Sequence, residues 1–180
     1  MEKEKTAPED HQEEIIDVEL FTRENKKIPI GKRYKVKVVE HYFIFDHHLV
    51  TGKEILEKAC ITPIECHWLY QKLKGCEFEK IDLNEKVDLT KPGIEHFVVK
   101  PTEVFHYFVD TDPETTDEKE LTPNQILEAA NLLPVADYYL VRINHDGSQT
   151  SFINSGDTPI KMVCPAVKFV SAFRGETGVS

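Results

Sequence analysis

The sequence predicts an α+β protein in which one small unit occurs twice, behind an acidic N-terminal arm. Three observations carry that expectation. First, "VTGKEILEKACITPIECHWLYQKL" (Val50 to Leu73) aligns with "LTPNQILEAANLLPVADYYLVRIN" (Leu121 to Asn144) without a gap. Thr51 falls on Thr122, Ile55-Leu56-Glu57 on Ile126-Leu127-Glu128, Ala59 on Ala130, Pro63 on Pro134 and Leu69 on Leu140, and self-similarity in this order marks a repeated structural unit. Second, the flanks of both copies alternate polar and apolar residues at the strand period, as in "RYKVKVV" and "YYLVRI". Third, each copy holds one short helical pattern opened by a threonine.

Residues 1–32 come first and read as a mostly disordered arm. They are charged and poor in aromatics, with too little apolar surface to offset the entropy of ordering them. The short run Ile15, Ile16, Val18, Leu20, Phe21 reads as a docking peptide within the arm, with a packed N-terminal extension as the alternative. In the first unit, "RYKVKVV" and "HYFIFD" are two strands with almost no turn between them. Thr51 and Glu54 then form a T-x-x-E capping box, with Ile55, Leu56 and Ala59 on one helical face. Pro63 blocks continuation of the helix. The strands "HWLYQKL" and "FEKIDL" follow, and "IEHFVVK" closes the unit after Pro92. The second unit repeats the order with Thr122 and Gln125 as the box and Pro123 at the first helical position, where its missing N–H costs nothing. Its strands "YYLVRI" and "TSFIN" are separated by Asp146-Gly147, a turn signal, and "VKFVSAF" ends it after Pro165.

Two hairpins flanking one helix on the face of a mixed sheet is the β-grasp arrangement. The expected organisation is therefore a flexible arm over 1–32, one domain over 33–100, a second over 103–175 and a tail over 176–180. The link around Pro101-Thr102 is short and contains proline, which favours a semi-rigid pair.

The residues "RYKVKV…VTGKEIL…LYQKLKG…KVDLTKPGIEHFVV" resemble the repeat of the bacterial multi-ubiquitin domain family, tandem ubiquitin-like modifiers. The resemblance covers both units, is specific in the first and rests in the second on the internal alignment. It implies a protein without an active site, whose chemistry resides in its own C-terminal carboxylate. An E1-like activating enzyme would adenylate that carboxylate, cysteines of the E1-like and then an E2-like conjugating enzyme would carry it as a thioester, and an amine of a target protein would attack. The family's setting implies bacterial antiviral defence, with phage proteins among the targets.

Under this resemblance the end of the chain becomes the site. The strand-like run stops at Phe173, Arg174 and Gly175 follow, and "ETGVS" trails behind. Glycine lacks Cβ and lets other backbones approach closely, as threading through enzyme channels requires. Arg174 offers a planar cationic fork for an acidic enzyme surface. Phe173 and Arg174 are thus expected to be read by the activating enzyme and by a tail-processing peptidase or deconjugase that cuts between Gly175 and Glu176. Gly178 is the other candidate end. The first unit finishes "HFVVKPTEVFHYF" with no glycine after its strand, so the two units are expected to stay fused as one double modifier. A non-conjugated scaffold and a sulfur carrier are the competing readings.

Composition narrows the classes. A net charge of -10 argues against nucleic acid or anionic membrane as partners, and no run reaches the roughly 18 apolar residues of a membrane span. There is no signal-peptide core, and the four cysteines (Cys60, Cys66, Cys76, Cys164) form no CxxC pair, so they read as reduced thiols in a cytoplasmic protein. No phosphate loop or cofactor motif occurs, and no nucleophile–base constellation suggests an enzyme. His41, His47 and His48 read as solvated loop residues rather than metal ligands, because adjacent residues of an extended segment point to opposite faces. Trp68, Tyr70 and Tyr139 are candidates for a partner-binding strand face.

Overall fold

A computed structural model describes residues 14–75 and 78–175. Mixed sheets with few helices make the protein α+β, and the chain divides after Lys100 into two compact units.

The first unit opens with β1 (Ile15–Asp17) and α1 (Val18–Arg23), then β2 (Arg33–Val38), β3 (His41–Phe45), β4 (Leu49–Thr51), α2 (Gly52–Lys58), β5 (His67–Leu73), β6 (Phe78–Ile81), β7 (Lys86–Asp88) and β8 (Ile94–Pro101). Its main sheet runs β1-β2-β8-β5-β6, with β3 on the other edge of β2, and β4 and β7 form a separate small ladder. The second unit contains β9 (Phe105–Val109), β10 (Asp112–Thr116), β11 (Glu120–Leu121), α3 (Pro123–Ala129), β12 (Tyr138–Ile143), β13 (Gln149–Ser151), β14 (Ile160–Lys161) and β15 (Val167–Phe173). Its sheet order is β10-β9-β15-β12-β13, with a small β11·β14 ladder.

The repeat seen in the sequence is a repeat of local geometry. Both expected capping boxes form: the Thr51 and Thr122 hydroxyls accept from the backbone N–H of Glu54 and Gln125, whose side chains accept in return from the cap N–H. Each such cap contributes about 1 kcal/mol. Both helices end alike. The N–H of Ile61 donates to Leu56 O and that of Cys60 to Glu57 O, matched by Leu132 to Leu127 and Asn131 to Glu128. This is a Schellman ending, and it sets Cys60 at φ 57° and Asn131 at φ 62°.

The hairpins that begin the units are equally tight. Val38 pairs with His41, and Val109 with Asp112, leaving two residues to turn. The first of them has φ 55° at Val39 and 56° at Asp110. A left-handed backbone suits Asp far better than a β-branched side chain, and Val39 is 41% exposed, so it gains little from burial in return. Val39→Asn is expected to raise the stability of the first unit by about 1 kcal/mol, measured as a shift of its urea midpoint.

Each sheet packs its inner face against its helix. The first core contains Tyr34, Val36, Val38, Ile55, Leu56, Leu69 and Phe97; the second contains Tyr107, Val109, Ile126, Leu127, Leu140 and Phe169. Gly52 lets α2 start against the neighbouring loop, because a Cβ there would lie 2.5 Å from the Asp82 carbonyl oxygen. Backbone and hydroxyl hydrogen bonds from Thr51 hold the Glu54 carboxyl below its ordinary range. Burial pushes Asp88 upward, but hydrogen bonds from Thr90, with His48 and Lys91 nearby, outweigh it and leave the carboxyl lowered. A lowered carboxyl binds fewer protons folded than unfolded. Its contribution is therefore complete above the ordinary carboxylate range and lost as pH falls through the lowered folded value. The first unit is expected to hold its urea midpoint at neutral pH and lose it progressively on acidification below about pH 4.5, with Thr90→Val weakening that dependence.

Two expectations are corrected. Residues 14–32 are not a disordered arm. β1 lies parallel to β2, pairing Ile16 with Tyr34 and Asp17 with Lys35, and Ile16, Val18 and Ile28 are buried in the first core. Asp17 caps α1 and forms an ion pair with Lys35 at 2.5 Å, and Lys74 Nζ donates to Asn25 Oδ1 at 2.9 Å. Composition suggested disorder because it counts only the apolar surface a segment could bury by itself; here the segment joins a core built by other strands. The second correction concerns the thiols. Cys60 is free and exposed, but Cys66 and Cys164 are each disulfide-bonded, and Cys76 lies outside the described residues. Disulfides require spatial approach, which residue spacing does not express, and the cytoplasmic reading loses the support it drew from reduced cysteines.

Candidate functional site

The end of β15 is held to its last residue. The β12·β15 ladder runs from Ile143↔Lys168 to Tyr138↔Phe173, so the strand is paired up to Phe173. Arg174 continues the anchorage. Its backbone N–H donates to Asp137 O at 2.7 Å, its Nε to Tyr138 O at 2.8 Å and its Nη1 to Ile153 O at 2.6 Å. The guanidinium carbon lies 5.8 Å from the centre of the Tyr139 ring. Charge-assisted bonds of this kind are stronger than neutral ones. The fork expected to face an enzyme thus spends its Nε and Nη1 donors on carbonyls of its own unit.

Phe173 is 50% exposed and meets Tyr138 edge-to-face at 5.5 Å. Gly175 is exposed beyond it, and a Cβ on Gly175 would lie 2.4 Å from Cε1 of Phe173. Glycine is what lets the chain turn past that ring. Glu176 and Gly178 lie outside the described residues.

The aromatic candidates of the first unit come together on one face. Leu69 and Gln71 are buried, so the strand period turns Trp68 and Tyr70 to the outer side of β5. Lys80 Nζ stands 3.8 Å from the Trp68 ring centre, Lys100 Nζ 5.2 Å from that of Tyr70, and Lys72 Nζ 5.5 Å from that of Phe78. The lysines were missed as part of this face; the alternation of Trp68, Tyr70 and Lys72 along the strand was the available signal. Tyr139 belongs to the second unit, where its ring lies beside the Arg174 guanidinium. The face can attract acidic groups and stack against planar ones.

With the sheet order, the repeat and the C-terminal end established, comparison with known proteins gives one match. The model of the Multiubiquitin family matches residues 34–102. The curated proteins and the solved structures give no match. The multiubiquitin-like stretch covers β2 to β8 and omits β1 and α1, which are an addition to the matched unit. The second unit lies outside the match, yet carries the same caps, helix ending and hairpin.

Among the described residues, no three His, Cys, Asp or Glu side chains converge to hold a metal ion. His47 is engaged locally, with Nδ1 2.8 Å from Leu49 O and Nε2 3.7 Å from Glu54 Oε1. No helix among the described residues is long and apolar enough to cross a membrane.

Proposed function

We propose that the chain is a ubiquitin-like protein modifier of two tandem β-grasp domains, spanning 33–100 and 103–175. It acts as a substrate of enzymes rather than as an enzyme. A peptidase removes residues 176–180, an E1-like enzyme activates the exposed Gly175 carboxylate, an E2-like enzyme takes it as a thioester, and target proteins receive it through an isopeptide bond. The setting we propose is bacterial antiphage defence in the cytoplasm.

The observation that carries this reading is the multiubiquitin match to the first unit, combined with a second unit of the same build whose last strand leads directly to Arg174-Gly175. Modifier chemistry needs a glycine carboxylate beyond a folded domain, accessible to several enzymes in turn. Gly175 is exposed and is the second residue after β15. Pro101 ends β8, and no glycine stands between it and β9, which suits two domains that remain joined.

The alternative is a non-conjugated scaffold, favoured by the lysine-capped aromatic face around Trp68 and Tyr70. Intact mass after coexpression with the activating, conjugating and peptidase enzymes separates the two. The modifier reading expects loss of residues 176–180 followed by adducts. A full-length, unconjugated chain beside demonstrably active enzymes would overturn it.

A further inference from the structure

The two units differ at one edge, and each shows what the other lacks. In the first unit the start of β2 is covered: β1 pairs in parallel with Arg33, Tyr34 and Lys35, and β8 reaches β2 only at Val38↔Phe97. In the second unit β15 pairs with β9 at Tyr107, Phe108 and Val109. Ahead of Tyr107, among the described residues, no strand lies along that side of β9.

The equivalence is fixed by matched features. Val39 N–H donates to Phe97 O and Asp110 N–H to Phe169 O, both at 2.8 Å, so Val38 corresponds to Val109, Lys35 to His106 and Tyr34 to Phe105. Strand period two turns the main-chain groups of His106 to the same side as those of Asp110; the Tyr107↔Val167 pairing engages the His106 carbonyl with β15, and the His106 N–H faces the uncovered side. Tyr34, beneath β1, is 0% exposed. Phe105, its counterpart, is only partly buried, and His106 is exposed. At Val104 a side chain stands in for a strand: its N–H donates to Thr102 Oγ1 at 3.2 Å, and that hydroxyl donates back to Val104 O at 2.9 Å.

We propose that the open edge of β9 at Phe105–His106 is a strand-addition site for an extended segment of a partner protein with the chemistry of β1. The segment runs parallel to β9, turns one aliphatic side chain inward onto Phe105 and the next residue, an acid, outward over His106. The first unit supplies the pattern: Ile16 faces inward opposite Tyr34, and Asp17 forms its ion pair with Lys35. Main-chain hydrogen bonds supply affinity and the alternating side chains supply selectivity. The proposal is independent of any conjugation at Gly175.

The test uses the full chain and a synthetic peptide of residues 14–30, "EIIDVELFTRENKKIPI", as the probe, followed by amide hydrogen exchange in NMR. Saturating peptide is expected to slow exchange at His106 at least tenfold, and the peptide carrying Ile16→Asp to bind at least tenfold more weakly. Chain His106→Pro loses an N–H only on the open edge, a place where strands tolerate proline, and is expected to abolish binding while its other amides keep their shifts. Should that variant misfold, the peptide substitution alone carries the test, because it leaves the chain untouched. Slowing confined to Lys35, which would mean exchange with β1, overturns the proposal. So does undiminished binding of the Ile16→Asp peptide, or no slowing at His106.

Discussion

Under the proposed modifier function, Gly175→Glu is expected to leave the chain without adducts when it is coexpressed with activating, conjugating and peptidase enzymes that conjugate the unaltered chain. Two causes act together. The new side chain must enter space held by the Phe173 ring, where even a Cβ would lie 2.4 Å from Cε1, so the ring has to shift. A side chain at the reacting residue also blocks the close backbone approach that glycine permits. Gly175→Ala meets the same ring contact with a smaller group and is expected to conjugate at a reduced rate. Arg174→Ala serves as the companion variant. It removes the side-chain bonds to Tyr138 O and Ile153 O while leaving the glycine in place. It is expected to expose the tail to a nonspecific carboxypeptidase beyond residue 174. Intact mass reads all three variants. Full conjugation of Gly175→Glu would show that the reactive carboxylate lies elsewhere.

Ile16→Ala is expected to destabilise the first unit by about 2–5 kcal/mol. The residue is 2% exposed and packs into the first core, most of whose other residues belong to the multiubiquitin-like stretch. Truncation leaves a cavity in that core, while the pairing of β1 with β2 keeps the backbone on either side of it in place. Among the described residues the second unit has no counterpart of β1, so its own transition is expected to stay put. Urea unfolding followed by residue-resolved NMR separates the two. Equal loss in both units, or a loss near zero, would show that the N-terminal segment is not part of the first core.

Much of this architecture was legible because local chemistry repeats. Thr51 and Thr122, each followed at the third position by a residue able to return the hydrogen bond, located both helices. Alternation located β2, β5, β12 and β15, and Asp146-Gly147 marked the turn before β13, where Gly147 takes φ 82°. What stayed hidden depends on distant partners. The β4·β7 and β11·β14 ladders are two or three residues long, too short to show a period. The packing of Ile16 depended on a vacant edge of β2, which no residue near Ile16 announces. At the C-terminal end, Arg174 and Gly175 stood out by type, but the carbonyls that hold Arg174 belong to Asp137, Tyr138 and Ile153, and a backbone carbonyl leaves no mark in the residue type.

The parallel pairing of β15 with β9 has a mechanical consequence. β9 begins the second unit and β15 ends it, side by side and running the same way. Tension between the entry near Pro101 and a load attached at Gly175 therefore pulls the two strands in opposite directions along their length. The bonds of the ladder must then yield together rather than one after another, as they would in a peeled hairpin. Forced unfolding is governed by the height of the barrier to rupture rather than by equilibrium stability. A force applied at Gly175 against the entry of the second unit therefore meets the β9·β15 ladder in shear, its most resistant direction.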